Sequence, residues 1–250
     1  MLQVSTDAPD SSGVRTEVES VPIFAALDLG TNNCRLLVAS AQPVSGNVYA
    51  SKAGNNIRVL DSFSRVVRLG EGVSSSGILS QEAVERTLLA LRACQKKLNR
   101  YAITSSRFVA TEACRRAENG REFLKNVRDE IGMEIEIISS EEEARLAFSG
   151  CSSLLTDDAK KAVVFDIGGG STELLWVDVE NGKNIVDWLS VGFGVMNLSD
   201  KFGGTSHADI AFSDMVATIA EKLKAFNITN QIAGAIEKTS VQLLSTSGTV

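Results

Sequence analysis

One pattern occurs twice in this chain, and it constrains the fold more than any other feature. Near the start the chain reads Ala26-Leu27-Asp28-Leu29-Gly30-Thr31-Asn32-Asn33-Cys34-Arg35-Leu36-Leu37-Val38. Later it reads Val164-Phe165-Asp166-Ile167-Gly168-Gly169-Gly170-Ser171-Thr172-Glu173-Leu174-Leu175-Trp176. Each copy is an apolar run, an Asp-x-Gly step, a few small polar residues and a second apolar run. That order reads as two strands joined by a tight turn. The turns suit an anion. Glycine removes the Cβ that would block close approach, and the N–H and hydroxyl groups of Gly30, Thr31 and Asn32, and of Gly168, Gly169, Gly170 and Ser171, can then face a phosphate. Asp28 and Asp166 would repel a phosphate directly, but each fits a divalent metal, or a metal-bound water, that bridges to it. Two such loops predict two related lobes that close on one phosphorylated substrate.

The copies differ at their eighth position, where Arg35 in the first faces Glu173 in the second. Arg35 offers phosphate a cation. Glu173 offers magnesium a second carboxylate beside Asp166; the plainer reading is a glutamate on the solvent side of a strand.

At 250 residues the chain has room for two domains, and 44% hydrophobic with 22% charged residues is a globular composition. A net charge of -6 argues against a basic surface for nucleic acid, so a polyanionic substrate would be held by local arginines. No run of about eighteen apolar residues exists to span a membrane. Cys34, Cys94, Cys114 and Cys151 are scattered without a CxxC pair and read as reduced thiols of a cytoplasmic protein. His207, the single histidine, lies in a polar stretch and reads as exposed and idle, which disfavours histidine-based phosphatase chemistry.

Residues 1–21 are polar and read as a disordered tail. The first hairpin covers 24–40, a turn 42–47, and a further strand 57–69 that ends at Gly70-Glu71-Gly72. Ser80 reads as the N-cap of a helix with Val84, Leu88, Leu91 and Leu98 at helical spacing. A short strand at 107–110 follows. A helix then opens at Asn119, carries Phe123, Leu124, Val127 and Ile131 on its apolar face, and ends at Gly132. A strand at 134–138 precedes a helix from Ser140 to about Leu155. Polar residues 156–161 place the domain boundary between Gly150 and Lys161, giving lobes 22–150 and 151–250. The second lobe repeats the plan: hairpin, a strand near 185–191, a long helix near 209–226, and a strand at 241–244. A third small-polar turn, Ser245 to Thr249, then stands at the chain's end, and the second lobe reads as truncated there.

These residues resemble the exopolyphosphatase/guanosine pentaphosphate phosphohydrolase (Ppx/GppA) family, within the superfamily of actin, the sugar kinases and the heat-shock chaperone ATPases. The motifs stand in order over about residue 23 to the end. Asp28 to Asn32 matches the first phosphate loop, Ala110 to Arg115 with Asn119 the arginine segment, and Ser139 to Arg145 the Glu-Glu-Ala-Arg signature. Asp166 to Glu173 matches the second loop, and Thr246 to Thr249 the third. Asn33 departs from the family's usual Ser or Thr. The resemblance implies a two-lobed, actin-like α/β fold with a duplicated ribonuclease H-like core. It implies a hydrolase that releases terminal phosphate from polyphosphate or guanosine pentaphosphate with Mg2+ or Mn2+. Asp28, Asp166 and Glu173 would hold the metal. Gly30, Thr31, Asn32, Arg35, Arg115, Gly168, Gly169, Gly170, Ser171, Ser247, Gly248 and Thr249 would hold phosphate. Glu143 would be the base that activates water. No nucleic acid or membrane partner is expected, and a homodimer is compatible.

Plain readings stand beside these roles. Ser140-x-x-Glu143 is a capping box on its own terms, and Glu142 can pair the same way with Ser139; Glu142 is also the base if the register differs by one. Arg115 and Arg116 could be solvated surface arginines. Arg145 fits an ion pair with Glu141 or Glu142 along the helix. Rival functions are a kinase of the same superfamily, an actin- or chaperone-like nucleotide switch, and a silent phosphate sensor.

Overall fold

The computed structural model describes residues 21–41, 57–202 and 208–246. The expected tail, the turn at 42–47, His207, and Ser247, Gly248 and Thr249 of the third turn all lie outside the described residues, apart from Val21 at the tail's end.

The first hairpin is β1 (Ile23–Leu29) and β2 (Asn33–Ala41). Alternation drives it: Ala25, Leu27 and Leu29 of β1, with Cys34, Leu36 and Val38 of β2, are buried on one face. β3 (Ile57–Val66) pairs antiparallel with β2, and β4 (Ser105–Ala110) lies parallel to β1. The two residues of β5 (Glu136–Ile137) complete a sheet ordered β3-β2-β1-β4-β5. The expected five-residue strand at 134–138 is thus two residues long.

A one-turn helix, α1 (Val73–Ser76), precedes α2 (Gln81–Leu98). Ser80 caps α2, its hydroxyl accepting from the Ala83 N–H at 3.2 Å. Leu91 and Leu98 of the expected stripe are fully packed, and Ala83, Thr87, Ala90 and Cys94 fill the rest of the buried face. After β4 come α3 (Glu112–Arg116), which the helical pattern was too short to reveal, and α4 (Gly120–Ile131). Phe123, Leu124 and Val127 of α4 close the first core, each such side chain contributing about 1.5–3 kcal/mol. Asn119 precedes α4 but makes no cap; its amide instead brackets Leu79, accepting from its N–H at 2.8 Å and donating to its carbonyl at 3.1 Å.

α5 (Ser140–Cys151) follows and gives way to a 3-10 turn (Ser152–Leu154), short of the expected end at Leu155. Its buried residues Ala144, Phe148 and Cys151 pack with Ala162, Val164, Leu175 and Val177, so α5 belongs to the second core. The division between cores falls before α5, one helix earlier than the boundary read between Gly150 and Lys161.

The second sheet repeats the plan. β6 (Lys161–Ile167) and β7 (Thr172–Asp178) form the hairpin, β8 (Asn184–Val191) pairs antiparallel with β7, and β9 (Val241–Ser245) lies parallel to β6. The order β8-β7-β6-β9 matches β3-β2-β1-β4 strand for strand. The ladder slips at Val38/Ala39 in one sheet and at Trp176/Val177 in the other, the same step of the repeat. Among the described residues, three helices lie between β8 and β9: α6 (Val195–Phe202), α7 (Ala208–Asn230) and α8 (Ile232–Lys238). The repeated sheets and their helices form a duplicated, two-lobed α/β fold. Among the described residues no helix is long and apolar enough to cross a membrane.

Candidate active site

The two hairpins place their loops face to face. Each turn closes with the same bond: the Gly30 N–H donates to the Asn33 carbonyl at 2.9 Å, and the Gly168 N–H to the Ser171 carbonyl at 2.9 Å. Register sets Asp28 opposite Arg35 and Asp166 opposite Glu173. Cross-strand partners share a sheet face; both members of the first pair line the cavity between the loops, but only Asp166 of the second does. The loops touch across the lobes. A Cβ on Gly169 would come 2.9 Å from Asn32 Cβ, and one on Gly170 would come 2.8 Å from Thr31 Oγ1. Glycine is what lets them approach.

The cavity between them is lined by both loops, with Asp28, Arg35, Glu143 and Asp166 as its charged members. Glu143 arrives from the start of α5. There the Ser139 hydroxyl accepts from the Glu142 N–H at 3.1 Å, so the cap runs from Ser139 and not from Ser140. Glu142 turns outward, and its carboxylate takes Arg107 Nη1 at 2.9 Å. Glu143 is thereby left to the cavity. Burial pushes its carboxyl up to about 8; the Glu173 charge adds to the rise and Arg115 opposes it. Arg145 pairs with Glu141 at 3.0 Å, away from the cavity.

Arg115, on α3, is heavily engaged. Its Nε and Nη2 donate to Glu112 at 3.1 and 2.7 Å, its Nη1 donates to the Ile138 carbonyl at 2.8 Å, and its Nη2 reaches Glu143 at 3.1 Å. Four of the guanidinium's five N–H groups are thus used. A bidentate contact to phosphate needs at least one of these bonds to open. In this arrangement Arg115 aligns Glu143, while Arg35 is the only cation lining the cavity among the described residues. Glu112, which fixes Arg115, went unnoticed in the sequence; its position three residues before an arginine is the only signal it gave.

Asp28 and Asp166 are both raised by burial, with Arg35 opposing, and the Asp166 charge raises Asp28 further. Glu173 is 1% exposed and does not line the cavity. Burial raises its carboxyl, opposed by hydrogen bonds from Ser190, at 2.9 Å, and Ser171. Among the described residues no three Asp, Glu, His or Cys side chains are close enough to hold a divalent cation together. Asp28 and Asp166 fit a cation that keeps most of its waters, the ordinary habit of Mg2+.

Residues 47–250 match the model of the Ppx/GppA phosphatase family. The chain belongs to that family. A bifunctional 3-dehydroquinate synthase/phosphatase of Fusobacterium nucleatum is 35% identical over 181 residues, which are 71% of this chain and 26% of that protein. The crystal structure of the Aquifex aeolicus Ppx/GppA family member superposes with a TM-score of 0.64 at 25% identity, covering 83% of this chain and 63% of that one. An exopolyphosphatase-like protein superposes with a TM-score of 0.70 at 28% identity, covering 81% of this chain and 61% of the other. The chain therefore spans about a quarter of the curated relative and less than two thirds of these solved Ppx/GppA-like structures.

Proposed function

We propose that this Ppx/GppA family member is a phosphoanhydride hydrolase that releases terminal orthophosphate from inorganic polyphosphate or guanosine pentaphosphate. The observation that carries the reading is Glu143: a half-buried carboxylate with a raised pKa, set in the cavity that the two Asp-x-Gly loops share. A base near the working pH combines enough ionised form with enough proton affinity to be effective. Glu143 accepts the proton of a water as that water attacks the terminal phosphorus in line, and Arg115 holds the carboxylate in place. Phosphate oxygens rest on the N–H groups of the two loops, and Arg35 takes up part of their charge. Asp28 and Asp166 would hold Mg2+ or Mn2+, which would supply charge neutralisation to the phosphates. Glu173 backs the second loop through its bonds with Ser171 and Ser190.

Phosphate release from polyphosphate, guanosine pentaphosphate and ATP, with magnesium and in excess chelator, tests this. Magnesium-dependent release from one of the first two is expected. Full activity in chelator would remove the metal from the account. Tight ATP binding with no release from any substrate would replace the hydrolase by a nucleotide switch.

A further inference from the structure

The carbonyls of the second loop are anchored on one element. The Val195 N–H donates to the Gly168 carbonyl at 3.1 Å and the Met196 N–H to the Gly169 carbonyl at 2.9 Å. The Gly170 carbonyl is held by a side chain instead, accepting from Asn197 Nδ2 at 2.9 Å. The same amide group donates to the Gly192 carbonyl at 3.0 Å, and its Oδ1 accepts from the Gly194 N–H at 2.6 Å. All three bonds of Asn197 therefore go to the backbone of this loop or of the bend that leads into α6.

These anchors determine where the N–H groups point. In a trans peptide the carbonyl of one residue and the N–H of the next face opposite ways, and no cis bond occurs among the described residues. With the carbonyls of Gly168, Gly169 and Gly170 turned to α6, the N–H groups of Gly169, Gly170 and Ser171 turn away from it. Among the described residues none accepts from these three N–H groups, and all three residues line the cavity. The Gly168–Val195 and Gly169–Met196 bonds are backbone and survive most substitutions. The Gly170–Ser171 peptide depends on one side chain. It also follows a glycine, whose backbone freedom lets the peptide rotate if released. Rotated, it would offer a carbonyl oxygen to an incoming anion.

We propose that Asn197 is a positioning residue for phosphate: by holding the Gly170 carbonyl, it presents the Ser171 N–H to a phosphoryl oxygen in the cavity. The proposal rests on reading the cavity as a phosphate site. It goes beyond the loop motif itself, because Asn197 lies outside that motif and its side chain hydrogen-bonds to backbone.

The test titrates 15N-labelled protein with inorganic pyrophosphate and magnesium, alongside phosphate-release kinetics. Asn197→Asp keeps the acceptor for Gly194 but sets carboxylate oxygens against the Gly170 and Gly192 carbonyls; Asn197→Ala removes all three bonds. In the wild type the amide signals of Gly169, Gly170 and Ser171 should shift with pyrophosphate. In each variant the Ser171 shift should disappear and pyrophosphate affinity should fall about tenfold or more, a part of the ~10²–10³ that removing a preorganised donor outright costs in rate. A folded variant with wild-type affinity and a wild-type Ser171 shift would overturn the proposal. So would unfolding of both variants, which would mark Asn197 as merely structural, or a wild type whose loop amides do not respond. Wild-type loop shifts without phosphate release from any substrate would sink the hydrolase reading and leave Asn197 standing.

Discussion

The two Asp-x-Gly loops make the same turn and are braced from corresponding segments by different kinds of donor. Behind the first, the Thr31 carbonyl accepts from the Gly70 N–H at 2.9 Å, and the Asn32 carbonyl from the Val67 and Arg68 N–H groups at 2.8 and 3.0 Å. Every one of these donors is backbone, from the segment that follows β3. Behind the second, the start of α6 gives two backbone donors and the Asn197 side chain. The turn itself is local, closed by one bond between Gly and the residue three further on. Its bracing is tertiary, and each lobe meets the requirement with the segment that follows its third strand, by backbone alone in the first lobe and with the help of a side chain in the second. The first loop is thus buffered against substitution in its brace, and the second is not at the Gly170 carbonyl.

That contrast is easiest to break at Gly194. A Cβ there would lie 2.3 Å from the Gly168 carbonyl oxygen and 2.6 Å from the Gly169 carbonyl carbon, both backbone, whereas a Cβ on Gly192 meets nothing within 4 Å. Gly194→Ala should abolish phosphate release and lower the melting temperature, the overpacking costing about 1–3 kcal/mol or more. Gly192→Ala should leave both near wild type. Equal behaviour of the two variants would show that the α6 brace does not shape the loop.

The pH profile sharpens the comparison at the level of charge. The carboxyl of Glu143 is raised to about 8, and Arg115 holds it down. A general base must be ionised, so kcat/KM should rise about tenfold per pH unit and level off above about 8. Arg115→Gln removes the restraint and should move this limb to higher pH. A limb near the usual glutamate range, unmoved by the substitution, would take Glu143 out of the base role.

The smallest effect is expected on the far side of α5. Arg145 and Glu141 are an exposed i,i+4 pair with side chains 61% and 50% accessible. Arg145→Ala should change stability by less than about 0.5 kcal/mol and leave turnover unaltered. A large loss of turnover would mean that Arg145 serves the site.

Much of this arrangement was legible because it is local. Alternating apolar residues and Gly-rich turns gave both hairpins, and their repetition gave the two lobes. Asp28, Arg35 and Asp166 line the cavity from the turn ends of their strands, where the repeat places them. What stayed hidden depends on packing between distant segments. The assignment of α5 to the second core rests on Ala144, Phe148 and Cys151 meeting β6 and β7, which helical periodicity does not reveal. α3 and α6 are too short, at five and eight residues, to show a clear apolar stripe. Glu112 and Asn197, which hold Arg115 and the Gly170 carbonyl, sit on those two helices. Glu173 pairs with Asp166 in register as the repeat implied, yet it is buried behind the loop with Ser190 and not on the cavity wall.

The most direct test of the account is phosphate release by wild-type protein and Glu143→Gln in parallel, on polyphosphate and guanosine pentaphosphate with magnesium. Loss of a general base should cut turnover by about 10²–10⁴ while substrate binding stays close to wild type. Turnover by Glu143→Gln at the wild-type rate would contradict the central claim.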